Sequence, residues 1–220
     1  MLLWSDQVCY HGRVQNQLDL GIVYTTGSSF RARAEARQRA YRAQILRAGW
    51  ANYGHFLEQC AVDQGRNFVT PEAWQAAQTR AETGKGVARR TFENMLSSQA
   101  MCFNLFAPMA LDSTLATRIL SPHVPGLKKV RSITFEFTPA LEVFRDQSGL
   151  GGVDCDLLVE ADWDDGTLGV IAVETKFVEP EFSRCGFRKS SRLAKGQSVC
   201  PESVLVRQDS ANCLYESAKG

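Results

Sequence analysis

The chain has 220 residues, 44% hydrophobic and 22% charged, with 25 Lys and Arg against 24 Asp and Glu and a net charge of +1. That composition excludes a disordered chain and suits one domain of ordinary size, or one with a helical appendage. No run approaches the ~18 apolar residues of a membrane span, the opening MLLWSDQVCYHG is too briefly apolar for a signal peptide, and seven cysteines without paired short spacings argue against a disulfide framework.

A cytoplasmic protein without a membrane partner is therefore expected. The first legible element is a short strand over residues 20–25, ending at Gly27. Ser28 or Ser29 then caps a helix from about Phe30 to Ala48, with Gly49 as its stop. Its apolar stripe is Phe30, Ala34, Tyr41, Ile45 and Ala48. Arg31, Arg33, Arg37, Arg39, Arg42 and Arg47 occupy the other faces against a single Glu35. An Arg-rich helix can rest on a phosphate backbone, although a solvated face is the plainer account.

Residues 50–63 read as a second, less regular helix. Thr70-Pro71-Glu72 is a helix start, with proline at the first helical position and an acid near the positive end of the dipole. That helix should run to about Glu82 and stop in Thr83-Gly84-Lys85-Gly86. A further helix is predicted from Arg89 to Phe106, ended by Pro108. Phe92, Leu96, Phe103 and Phe106 make its apolar stripe, and Ser97, Ser98, Gln99 and Asn104 are polar residues set among large apolar ones. Such groups need hydrogen-bond partners if buried. Asp112 is expected to cap one more short helix, to about Leu120.

At Lys129 the period changes. Ile133, Phe135 and Phe137 alternate with Ser132, Thr134 and Glu136, which predicts a half-buried strand closed by Pro139. After the loop RDQSGLGG comes VDCDLLVEADWDDGTLGVIAVETKFVE, two apolar strands joined by a turn at Asp164, Asp165 and Gly166. If the loop is those three residues, Asp156 falls directly opposite Glu174, and Lys176 shares the face of Glu174. A two-residue Asp-Gly turn would instead pair Asp156 with Thr175 and throw Asp156 to the other face. Directly opposed like charges destabilise a sheet, so two facing carboxylates call for a cation.

The tail carries a basic cluster, Arg184, Arg188, Lys189, Arg192 and Lys195, then a strand over 203–207. From Asn212 it reads as a helix that the chain end cuts short, which leads us to expect a fragment. Cys185, Cys200 and Cys213 lack CxxC spacing and read as ordinary thiols. Cys60 with His55, or Cys9 with His11, would be the candidates for a cysteine-dependent hydrolase, but no third group orients either pair.

A carboxylate opening one strand and Glu-x-Lys ending its hairpin partner resembles the active site of the PD-(D/E)XK nuclease superfamily. SSQAMCFNLF, then FEFTP, then this hairpin resembles a bacterial group of inferred restriction endonucleases within it. The match covers about residues 89 to 180. The resemblance implies an α/β, restriction-endonuclease-like fold, with a mixed β-sheet of at least four strands flanked by helices. Residues 1–86 would be a helical N-terminal region and 87–220 the nuclease-like core, cut short at its C-terminus.

The resemblance also implies a metal-dependent, restriction or defence-type endonuclease acting on DNA with Mg²⁺ or Mn²⁺, in a homodimer if it oligomerises. Asp156 and Glu174 would bind the metal with the Thr175 carbonyl, and Lys176 would be the catalytic lysine. Glu136 and Glu93 are candidates for an additional acid, and Ser98 and Gln99 match the group's SSQ. Where that group has Thr-Ala or Thr-Ser before its aspartate, this chain has Val153-Asp154-Cys155, so Asp154 stands as a rival to Asp156. The alternatives are an inactive nuclease fold that binds nucleic acid or a protein, and an exposed salt bridge among the three side chains, which would contribute little stability.

Overall fold

The computed structural model describes residues 18–24, 29–83, 86–137 and 155–179, all within one compact unit. The basic cluster of the tail, the strand and helix expected after it, and Asp154, Cys9, His11, Cys185, Cys200 and Cys213 lie outside the described residues. Among the described residues no helix is long and apolar enough to cross a membrane.

Three strands form an antiparallel meander, β3 (Leu127–Phe137), β4 (Cys155–Trp163) and β5 (Leu168–Val173), in the spatial order β3-β4-β5. On β4, Cys155, Leu157, Val159 and Ala161 are buried, while Asp156, Leu158 and Glu160 take the other face. Helices α3 (Pro71–Glu82), α5 (Ser98–Leu111) and α6 (Ser113–Leu120) pack their apolar residues into one core with β3 and β4. Phe103 of α5, wholly buried, stacks on Phe135 of β3 with centroids 4.5 Å apart. Truncating such a side chain to Ala typically costs about 3–5 kcal/mol.

The caps expected at Thr70 and Asp112 form. Thr70 accepts a hydrogen bond from the Ala73 N–H at 3.2 Å, ahead of Pro71. Asp112 accepts from Thr114 and Leu115 at 2.9 and 3.0 Å.

Four local expectations are corrected. Residues 20–24 form no strand, although Ile22 accepts a hydrogen bond from the Gly54 N–H at 2.7 Å. Residues 50–63 are a β-hairpin, β1 (Trp50–Ala51) and β2 (Tyr53–Leu57), followed by the short helix α2 (Gln59–Asp63). Asn52 makes the reversal in the left-handed region (φ 59°), which asparagine tolerates. The helix predicted from Arg89 is broken into α4 (Arg90–Glu93) and α5. Asn94 leaves the helix to bridge to Phe56, Met95 donates to the His55 carbonyl at 3.0 Å, and Ser97 restarts the helix by accepting from Ala100. Pro108 does not end α5 but lies inside it. Its missing N–H costs one helical bond, and burial of Ala107 and Met109 on either side keeps the helix running.

The fourth correction concerns α1 (Ser29–Tyr41), which continues through a wider π turn over Arg42–Leu46. Three residues of its predicted apolar stripe face outward, Phe30 at 52% exposed, Tyr41 at 44% and Ile45 at 62%, while Ala48 is buried. The face turned inward carries Glu35 and Arg42, which are 1% and 2% exposed. Arg42 donates to the carbonyls of Gly54 (2.8 Å), Asp19 (2.6 Å) and Ala48, and Arg39 donates to those of Leu20 (2.8 Å) and Gly21 (2.7 Å). The helix thus holds the 18–24 segment and the β1–β2 hairpin through buried guanidinium groups, with Leu46 and Ala48 adding apolar contact around Leu57.

Candidate functional site

The β4–β5 turn sets the geometry of everything near it. Trp163 donates to the Thr167 carbonyl and Gly166 to the Trp163 carbonyl, both at 2.9 Å, so the loop is the three residues 164–166. Gly166 sits at φ +84°, the left-handed position that such a loop asks of glycine. The ladder then runs Asp162↔Leu168 to Leu157↔Val173. Of the two registers that the sequence allows, this is the one whose next step carries Asp156 and Glu174.

At that end β5 stops and the chain wraps back over Asp156. Asp156 Oδ2 accepts hydrogen bonds from both the N–H and the hydroxyl of Thr175, each at 2.6 Å. Thr175 is buried, and its hydroxyl oxygen also lies 3.3 Å from the Ser98 carbonyl at the start of α5. On either side of it, Lys176 Nζ donates to Glu174 Oε1, with the two side chains 25% and 37% exposed. Partial burial opposes the Lys176 charge, yet the hydrogen bond and charge of Glu174, with the charges of Asp156 and Glu179, raise its pKa above the ordinary value.

Cys102 lies beneath this group, on α5, and its Sγ is 3.8 Å from the Asp156 carbonyl oxygen. Burial pushes its thiol pKa up, and the charges of Asp156, Glu136 and Glu174 push the same way. The thiol is therefore a buried packing group.

Glu136, at the end of β3, is held from several sides. Its backbone is left-handed (φ 50°), an uncommon conformation for a residue with a side chain. Its carboxylate accepts from Gln99 Nε2 at 2.6 Å, and its carbonyl accepts from Arg80 at 2.6 Å. Gln99 uses its amide fully: Nε2 also donates to the Gly86 carbonyl at 2.8 Å, and Oε1 accepts from the Ala88 N–H at 3.1 Å and from the Thr91 hydroxyl. Gln99 is thus spent on binding segments together, with its half-buried amide satisfied on both sides.

Glu179 escapes a reading of the sequence. Its Oε1 accepts from the Ser98 hydroxyl at 3.1 Å, and its Oε2 from the N–H groups of Phe177 and Val178 at 3.0 and 3.1 Å. Burial works against the charge, but these donors hold the carboxyl below its ordinary pKa. It ties the segment after β5 to the first turn of α5. The available signal was an acid set between Glu174-x-Lys176 and Pro180.

Other expected residues go elsewhere. Glu93 pairs with Arg89 one helical turn back, at 3.1 Å. His55 faces Glu35 at 3.6 Å, and Cys60 is disulfide-bonded, so that pair supplies no thiolate and one of the thiols expected free is not.

The donors fit a hard divalent cation sparsely bound by protein. Asp156 Oδ1 and Glu174 Oε2 carry no hydrogen bond among the described residues. Mg²⁺ and Mn²⁺ suit oxygen sets of this kind, and Mg²⁺ keeps several waters. Among the described residues no group of three or more His, Cys, Asp or Glu side chains is arranged to hold a metal, so the fit is to a two-carboxylate site.

A family model described as the PD-(D/E)XK nuclease superfamily matches residues 25–218. No curated protein and no solved structure matches the chain.

Proposed function

Since this chain belongs to the PD-(D/E)XK nuclease superfamily, we propose that it is a Mg²⁺- or Mn²⁺-dependent endonuclease that hydrolyses DNA phosphodiester bonds, of the restriction or defence type. Asp156, Glu174 and the Thr175 carbonyl hold the metal, and Lys176 is the catalytic lysine. The observation that carries this reading is the β4–β5 register, which sets Asp156 beside the Glu174-Thr175-Lys176 segment.

Phosphodiester hydrolysis needs charge neutralisation at the phosphate, an activated water and a stabilised leaving oxygen. A bound divalent cation supplies positive charge for the phosphoryl oxygens and acidifies water. The chain's own residues do the placing. Thr175 fixes the Asp156 carboxylate with two hydrogen bonds. Glu174 keeps Lys176 charged and in position. Lys176 orients the attacking water or meets the negative charge that develops on the phosphate, and losing one such donor commonly costs 10²–10³ in rate.

The test is cleavage of supercoiled plasmid with Mg²⁺ or Mn²⁺ by the wild type, Glu174→Ala and Lys176→Ala. Cleavage by the wild type alone is expected, and cleavage that both variants retain would end the proposal. The rival reading is an inactive fold that binds nucleic acid or a protein. It expects no metal heat in a calorimetric titration, where the nuclease reading expects heat that Asp156→Ala abolishes.

A further inference from the structure

Helix α1 is folded inside out. A helix on a soluble core ordinarily buries its apolar stripe and solvates its charges. Here the row turned inward is charged: Arg31 lies over the Tyr24 ring at 5.2 Å, Glu35 accepts from the Tyr24 N–H at 2.6 Å, and Arg39 and Arg42 bind backbone carbonyls. The row turned outward is Phe30, Arg33, Arg37 and Tyr41, at the i, i+3 and i+4 spacings that share one face.

Arg33 and Arg37 are exposed and make no hydrogen bond or ion pair among the described residues. The only acid of the helix, Glu35, is buried on the opposite side. Two like charges at i and i+4 destabilise a helix, and cations near its N-terminus oppose the dipole. No hydrogen bond or ion pair among the described residues offsets either cost. The face therefore combines uncompensated guanidinium charge with exposed aromatic rings, and its complement is a polyanion.

We propose that the outward face of α1, with Arg33 and Arg37 between Phe30 and Tyr41, docks the phosphate backbone of duplex DNA. This rests on the reading of the chain as a DNA nuclease and adds to it an anchoring surface on a separate element from the cleavage residues. The contact is to phosphates, so it strengthens binding to all sequences alike. Each phosphate neutralised contributes about 0.9 to the slope of log K against log salt.

The experiment is fluorescence anisotropy of a labelled 30-base-pair duplex with the full chain, in EDTA to prevent cleavage, across a salt series. The Arg33→Ala/Arg37→Ala variant is expected to bind more weakly and to lower the slope by about 2. The Arg33→Lys/Arg37→Lys variant is expected to keep the wild-type slope, because lysine also neutralises phosphate. Near-ultraviolet circular dichroism of both variants checks that the fold is kept. Wild-type binding with a slope that the alanine variant leaves unchanged overturns the docking surface and leaves the nuclease reading standing. Arginine-dependent binding to phosphatidylserine vesicles without any change in duplex binding overturns it too, in favour of a membrane surface. A wild type that binds no duplex at all removes both readings.

Discussion

Thr175 donates two hydrogen bonds to one oxygen of Asp156, each 2.6 Å long, from its backbone N–H and its hydroxyl. The residue between Glu174 and Lys176 is thus the one that aims the opposing aspartate. Groups that orient a metal ligand typically contribute 10–100-fold to metal affinity. Thr175→Val keeps the N–H bond and the side-chain shape but loses the hydroxyl. Its Mn²⁺ affinity is expected to fall about tenfold, with Thr175→Ser close to wild type, as read by calorimetric titration.

Glu179 gives the molecule an acid-sensitive tie. Its folded pKa is depressed below the ordinary 4.5, so the stability it contributes is whole above that value and is lost as the pH falls through the folded value. Thermal melts from pH 6 downward should fall more steeply for the wild type than for Glu179→Gln. Equal slopes for the two proteins would remove Glu179 from the account.

His55 acts in a higher pH window. Burial lowers its pKa below 6.5, the charge of Glu35 opposes that shift, and Arg31 and Arg39 add to it. Below pH 6.5 the unfolded chain takes up a proton that the native state refuses, so stability drops as the pH falls. His55→Phe keeps a ring against Tyr53 and Phe56 and removes the titration. Its melting temperature should depend less on pH between 6.5 and 5 than that of the wild type.

Arg42 and Arg37 belong to one helical segment and should respond oppositely to the same change. Arg42→Met leaves three carbonyls without their donor and is expected to cost about 3 kcal/mol or more in denaturant unfolding. Arg37→Met, at an exposed position, should stay within about 0.5 kcal/mol.

What the sequence made legible is what short-range physics decides. The period-2 alternation of residues 132–137 in β3, the glycine of the β4–β5 turn and the caps at Thr70 and Asp112 depend on residues a few positions apart, and they fold as read. Two registers stayed open in the sequence, and the hydrogen bonds between Trp163 and Thr167 chose between them. The facing of α1 did not follow, because its 3.6-residue period shows two stripes and the choice between them was made by the carbonyls of Asp19, Leu20, Gly21 and Gly54. The break before α5 was hidden for the same reason, since Asn94 and Met95 leave the helix to meet the β1–β2 hairpin far back in the chain. Within the candidate site, Glu174, Lys176 and Asp156 could be named from spacing. Thr175 as a clamp and Glu179 as a tie needed the fold.

Residues 164–166 touch no reacting group, yet they act as a ruler. Substitutions there act locally: Asp165 accepts from the Thr167 N–H and hydroxyl at 2.9 and 2.7 Å, and Gly166 is required by its left-handed backbone, not by crowding. A single insertion or deletion there is another matter. It would turn Asp156 over and strand it away from Glu174 while leaving every individual residue of the site intact.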